Sequence, residues 1–157
     1  LSRAFVRESD QEEAGTLPER PVSPHPNLVT PAGQQQIEAQ VRSLEAELQA
    51  ARAAGDTAAI ARVSRDLRYW TQRRSTARVV EPVTSPPASV RFGTRVTIAM
   101  EDGTERTYRI VGEDEADPAQ GLLSWVSPVA SVLIGRSVGD VVRLPVGGEA
   151  EVVRIEP

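Results

Sequence analysis

The sequence contains no cysteine, no lysine and a single histidine, His25, and only 4% of its residues are aromatic. Without cysteine there are no disulfides and no thiolate metal sites, an absence that suits a reducing cytoplasm. One histidine, set between two prolines, argues against a Ser-His-Asp triad and against a histidine-based metal cluster. No apolar run approaches the ~20 residues of a membrane span. The start, Leu1-Ser2-Arg3-Ala4-Phe5, lacks the basic-then-apolar pattern of a secretory signal. The expected location is cytoplasmic, with no membrane partner. No phosphate-binding glycine loop is present either, since Val146-Gly147-Gly148 lies between two strand patterns and reads as a turn. No helix-turn-helix or zinc-finger spacing appears, and a net charge of −4 argues against nucleic-acid binding over the whole surface. That all 18 positive charges are arginine carries no functional reading.

What is present is periodicity. From Thr30, which can cap a helix, and Pro31, which suits a first turn, apolar residues recur at Ile37, Val41, Leu44, Leu48 and Ala51. After Gly55-Asp56-Thr57 the pattern restarts at Ile60, Val63, Leu67, Trp70 and Ala77, with Arg74 taking one heptad slot. A 3.5-residue repeat on both sides of a Gly-Asp break predicts an antiparallel two-helix coiled coil over residues 30–79. Arms of roughly 22–25 residues would each extend ~33–37 Å, the shape of a projecting probe. The plainer reading is two helices folded onto a globular body. Trp70, on the apolar stripe, is expected to pack at the base of the hairpin.

Before the hairpin, residues 1–29 form a leader with Glu8, Asp10, Glu12, Glu13 and Glu19, followed by four prolines between Pro18 and Pro26. Those prolines forbid a helix and favour extended, polyproline-like chain. The leader is expected to be flexible or loosely docked, with Phe5 and Val6 available to tack it to another surface. The two arms differ in charge. Residues 30–55 carry two arginines against three glutamates, whereas residues 56–79 carry six arginines against two aspartates. Either this is a solvated face with cross-arm pairing, or it is a basic edge that faces an acidic channel or a nucleic acid.

Prolines at 82, 86 and 87 mark a linker over residues 80–89. Residues 90–157 are short, β-branched and turn-rich. Strands are predicted at Arg95–Met100 and Arg106–Val111 around a Glu101-Asp102-Gly103-Thr104 hairpin turn. Two more are predicted at Asp140–Leu144 and Glu149–Ile155, with a short helix from Pro128 to Ile134 stopped by Gly135. The predicted class is α+β: a helical hairpin, then a small antiparallel sheet with one short helix. Tyr108 and Trp125 read as sheet-core aromatics. Glu113, Asp114, Glu115 and Asp117 offer oxygen ligands for a divalent cation, but their spacing departs from the calcium-loop pattern and favours a solvated acidic loop.

Tyr108-Arg109-Ile110-Val111-Gly112-Glu113-Asp114-Glu115-Ala116-Asp117 followed by Ser127-Pro128-Val129-Ala130 resembles the C-terminal domain of the bacterial Gre transcript-cleavage factors, GreA and GreB. Leu133-Ile134-Gly135-Arg136-Ser137-Val138-Gly139-Asp140 and Gly147-Gly148-Glu149-Ala150-Glu151-Val152 extend the likeness, and Thr30-Pro31-Ala32-Gly33 resembles the start of the Gre coiled coil. The leader resembles that of shorter Gre-like proteins. The resemblance implies a coiled coil joined to a C-terminal domain of FK506-binding-protein-like fold. It also implies a monomer that docks on RNA polymerase at the secondary channel through Ser127 and Pro128 and sends the coiled coil inward. Contact with nucleic acid would then be indirect, within the elongation complex.

In the family, acidic residues at the tip help hold a second Mg²⁺ in the polymerase active site, so that polymerase hydrolyses its own backtracked transcript. The protein itself would be neither enzyme nor cofactor carrier, with no metal in the free chain. Here Gly55-Asp56 matches the start of the tip motif, but Ala59 stands where the family has Glu, and the arms are shorter. Asp56 is the candidate tip acid, and it also has a sufficient role as the cap of the second arm. Ser127 and Pro128 likewise suit a helix cap and first turn. Two other functions fit more loosely. One is an adaptor resembling the shorter-coiled regulators of nucleoside diphosphate kinase. The other is a peptidyl-prolyl isomerase, suggested by fold resemblance alone.

Overall fold

The structure, a computed structural model, describes residues 17–157. Phe5, Val6 and the acidic residues of the first part of the leader lie outside the described residues. Two compact units are present. One holds residues 17–23 and Ile37–Ser75, and the other holds Pro24–Gln36 with Thr76–Pro157.

The first unit is the helical hairpin. Helix α1, Pro31–Ala54, has 24 residues and α2, Thr57–Thr76, has 20, so the second arm is somewhat shorter than its periodicity suggests. Leu44, Leu48 and Val63 are buried together, with Ile60, Leu67 and Trp70 packed around them. Ion pairs join Glu47 to Arg62 at 4.0 Å and Glu38 to Arg74 at 3.9 Å. Position falls along one arm as it rises along the other, so the arms are antiparallel. These long, half-exposed pairs add little to stability; the apolar seam holds the arms together. At the end of the seam Arg73, not Arg74, is buried. A helix of 3.6 residues per turn reaches the inner face about as well at one position as at the other, and the strict heptad gives way there.

The described part of the leader contacts the second arm. Glu19 accepts from the Arg68 guanidinium at 3.0 and 3.1 Å. The Arg20 guanidinium lies 4.0 Å from the centre of the Tyr69 ring and 3.7 Å from Asp66. No helix forms between Leu17 and Asn27, as the prolines require.

In the second unit the leader ends in a strand, β1 (Leu28–Val29), which pairs in parallel with β2 (Arg78–Val79) directly after the hairpin. The Asn27 side chain donates to the Thr76 hydroxyl at 3.2 Å, next to the pairing. A two-residue strand bonded to a partner some fifty positions away leaves no alternation to read.

The main sheet comprises β3 (Arg95–Met100), β4 (Glu105–Val111), β5 (Leu122–Ser124), β6 (Val141–Arg143) and β7 (Glu149–Glu156), in the order β5-β4-β3-β7-β6. The hairpin turn between β3 and β4 forms as predicted, with Gly103 at φ +82° and Asp102 Oδ1 accepting from the Thr104 amide and hydroxyl. The sheet is mixed rather than wholly antiparallel, because β5 pairs in parallel with β4. Two 3-10 turns, Glu113–Glu115 and Pro118–Gln120, carry the chain back to make that parallel return. Helix α3, Pro128–Leu133, presses Ala130 and Leu133 into the core beside Val96, Ile98, Ile110 and Val152. Tyr108 and Trp125 pack at the edge of this core.

Candidate functional site

The hairpin tip is built by two overlapping caps. Gly55, at φ +66°, takes the left-handed conformation that ends α1, and the Asp56 amide donates to the Ala51 carbonyl at 3.0 Å while the Gly55 amide donates to Arg52 at 3.1 Å. Asp56 then begins α2: its Oδ1 accepts from the Ala59 amide at 3.0 Å, and its carbonyl accepts from Ile60 at 2.9 Å. Asp56 is exposed, and the Ala59 methyl beside it offers no oxygen. The tip therefore presents one carboxylate, with one oxygen already engaged by the cap.

Four arginines of the second arm have an acidic partner within 4.0 Å. Arg62 faces Glu47, Arg65 meets Asp66 at 3.1 Å, Arg68 holds Glu19, and Arg74 faces Glu38. The Arg68 bond holds the Glu19 carboxyl below its usual range, and Glu19 in turn raises Arg68. This arrangement matches the reading of a solvated, internally paired face.

Ser127 caps α3: its Oγ accepts from the Ala130 amide at 3.3 Å, and Pro128 fills the first turn, where its missing N–H leaves nothing unsatisfied. The segment after α3 exposes Ile134 and Val138, apolar side chains at 37% and 59% accessibility. His25 meets Trp125 edge-on with ring centres 6.0 Å apart, two residues before the cap. Asp56 belongs to the hairpin unit, and Ser127 and Pro128 belong to the sheet unit.

The acidic loop contains the residue that sequence reading missed. Glu115 is buried rather than solvated. Its carboxylate accepts from the Thr30 amide at 3.0 Å, from the Gly112 amide at 3.0 Å and from the Thr30 hydroxyl. Thr30 in turn caps α1, its Oγ1 accepting from the Gly33 amide at 3.0 Å. A Cβ on Gly33 would overlap the Glu115 carboxylate, and one on Gly112 would lie 2.5 Å from the Leu28 carbonyl oxygen. The bond to Gly112 is local, but the burial of Glu115 depends on Thr30, 85 residues away, which no local pattern marks. Among the described residues no group of three or more acids or histidines is placed to hold a metal, and no helix is long and apolar enough to cross a membrane.

Residues 85–157 match the family described as "Transcription elongation factor, GreA/GreB, C-term". The chain is similar to transcription elongation factor GreA of Alkalilimnicola ehrlichii, 47% identical over 85 residues that cover 52% of this chain and 54% of that protein. It is also similar to transcription elongation factor GreB of Neisseria meningitidis serogroup B, 40% identical over 98 residues that cover 60% of each. The match thus spans little more than half the length of these curated relatives. Among solved structures, Gfh1 of Thermus aquaticus aligns at 25% identity over 83% of this chain and 97% of that one, with a TM-score of 0.41. Residues 85–157 thus form a C-terminal domain of the GreA/GreB transcription elongation factor family.

Proposed function

We propose that this chain is a transcription elongation regulator that binds RNA polymerase at the secondary channel, with the helical hairpin entering the channel, and that it stimulates transcript cleavage weakly or not at all. The observation that carries the second half is the tip. A weakly held Mg²⁺ needs several oxygens in near-octahedral array. Asp56 supplies one carboxylate, whose Oδ1 already accepts from the Ala59 amide, and Ala59 supplies none. The metal would belong to the polymerase, and the hydrolysis would be the polymerase's own reaction.

Docking is assigned to the C-terminal domain at Ser127, Pro128 and the segment after α3. Support comes from the family match over residues 85–157 and from the exposed Ile134 and Val138, which suit a protein contact. Nucleic acid would be met only indirectly, inside the elongation complex.

The test is capture of core RNA polymerase by the full chain, followed by RNA release from a stalled, backtracked complex at neutral pH with Mg²⁺. Binding with little release is the expected result. Strong release by the wild type, lost in both Asp56→Ala and Asp56→Asn while binding persists, would make Asp56 catalytic and overturn the reading. Failure to capture polymerase, with capture of nucleoside diphosphate kinase instead, would favour the adaptor function that the single-acid tip also fits.

A further inference from the structure

The sheet-bearing unit encloses a cleft of about 360 Å³. Its apolar walls come from three distant stretches of chain: Pro31 and Ala32 at the start of α1, Val80 and Pro82 after β2, and Leu122 on β5. Arg109 on β4 lines the same space, next to Gly93. A half-buried arginine in an apolar cleft ordinarily has a carboxylate partner, because dehydrating a guanidinium is costly without one.

Among the described residues Arg109 bonds no side-chain carboxylate: Nη1 donates to the Gly93 carbonyl at 2.7 Å and Nη2, weakly, to an oxygen of Pro157 at 3.4 Å. The residue directly opposite it on β3 is another cation, Arg95, an unfavourable cross-strand pair. Glu156, an acid near enough to act on Arg109, is turned to Arg154 at 3.6 Å. Burial and then Arg95 hold the Arg109 pKa below its ordinary value, consistent with a cation short of negative charge. Glu115 also lines the cleft, but its oxygens are taken by Thr30 and Gly112. Its fixed charge would repel a second acid, which leaves the Arg109 side as the place for an anion.

We propose that this cleft binds a small amphipathic carboxylate, with its acid group on Arg109 and its short hydrocarbon body against Pro31, Val80, Pro82 and Leu122. The guanidinium has N–H groups left for a charge-assisted bond to a carboxylate. Pro31, Val80, Pro82 and Leu122 offer the hydrocarbon body an apolar surface against which it leaves water. A cleft of this size lies at the small end of ligand sites. The inference does not rest on polymerase binding, because Ser127, Pro128, Ile134 and Val138, to which docking is assigned, do not line the cleft.

The test is an amide NMR titration of the full-length, ¹⁵N-labelled chain with heptanoate, 1-heptanol and acetate at low salt. Heptanoate is expected to give saturable shifts at Ala32, Val80, Gly93 and Leu122 and to bind more tightly than either the alcohol or acetate. Arg109→Met keeps an unbranched stem and removes the charge, and it should weaken heptanoate about tenfold or more while leaving 1-heptanol unchanged. Val80→Phe fills the cleft without altering Arg109 and should weaken both; it decides the matter if Arg109→Met does not fold. Heptanoate binding no tighter than the alcohol or acetate would overturn the proposal, as would shifts scattered outside the cleft or heptanoate affinity unaffected by Val80→Phe.

Discussion

The carboxylate of Glu115 accepts hydrogen bonds from both the backbone amide and the hydroxyl of Thr30, 85 residues earlier in the chain. Because the Thr30 hydroxyl gives its proton to Glu115, its oxygen is left free to accept from the Gly33 amide and cap α1. A third bond, from the Gly112 amide, fixes the carboxylate to the 3-10 turn after β4. One side chain therefore joins the first turn of a helix to the end of a strand, with its own lone pairs satisfied in a buried place.

Glu115→Ala should destabilise the protein by about 2–4 kcal/mol, since three donors lose a charged acceptor and two of them are backbone amides. Glu115→Gln preserves the shape but loses the charge and turns one acceptor into a donor, so it should recover only part of that loss. Urea unfolding followed by far-UV circular dichroism measures both. A Gln variant as stable as the wild type would show that the charge contributes nothing.

Gly112→Ala should cost about 2 kcal/mol or more, because the new methyl meets the Leu28 carbonyl, which is backbone and cannot swing away. Gly55→Ala offers a contrast. Nothing lies within 4 Å of its Cβ direction, so the cost is the left-handed backbone alone, about 1–2 kcal/mol. Thermal melts of the two variants should rank them in that order.

Asp56→Ala should lower stability by about 1 kcal/mol through loss of the α2 cap, and Asp56→Asn should keep nearly all of it, since the amide oxygen can still accept from Ala59. Chemical denaturation of the free chain tests this without polymerase. A loss as large in Asn as in Ala would mean that the carboxylate charge, rather than the cap bond, is what matters at the tip.

The Glu19 carboxyl is depressed chiefly by its bond to Arg68, so its contribution is fully present above the ordinary glutamate pKa of about 4.3 and is lost as pH falls through the lower, folded value. Asp102 behaves with the same sign, its carboxyl lowered by the Thr104 hydroxyl and amide. Acidification should therefore release the leader from α2 and loosen the β3–β4 turn. A side-chain carboxyl NMR titration should place Glu19 below its normal range and return it there in Arg68→Gln. An unshifted Glu19 in the wild type would contradict the leader contact.

The two-arm hairpin, its Gly55-Asp56 turn, the β3–β4 hairpin and the α3 cap were all legible in the sequence, because each depends on residues within a few positions of one another. Helical spacing of Leu44 and Leu48, a glycine at a positive φ and a serine before a proline are local instructions. The Gre resemblance was readable for a similar reason, as an ordered run of short motifs from Tyr108 onward. Tertiary structure alone decided what depends on distant partners. Glu115 sits in a run of acids that reads as solvated until the fold brings Thr30 to it. The β1–β2 pairing joins the two ends of the hairpin, and the parallel return of β5 makes the sheet mixed. Arg109 looks like an ordinary strand arginine until Arg95 is placed opposite it and Pro31, Val80 and Leu122 are gathered around it. A sequence states propensities along the chain; which charge is buried, and against what, depends on contacts that only closing the chain creates.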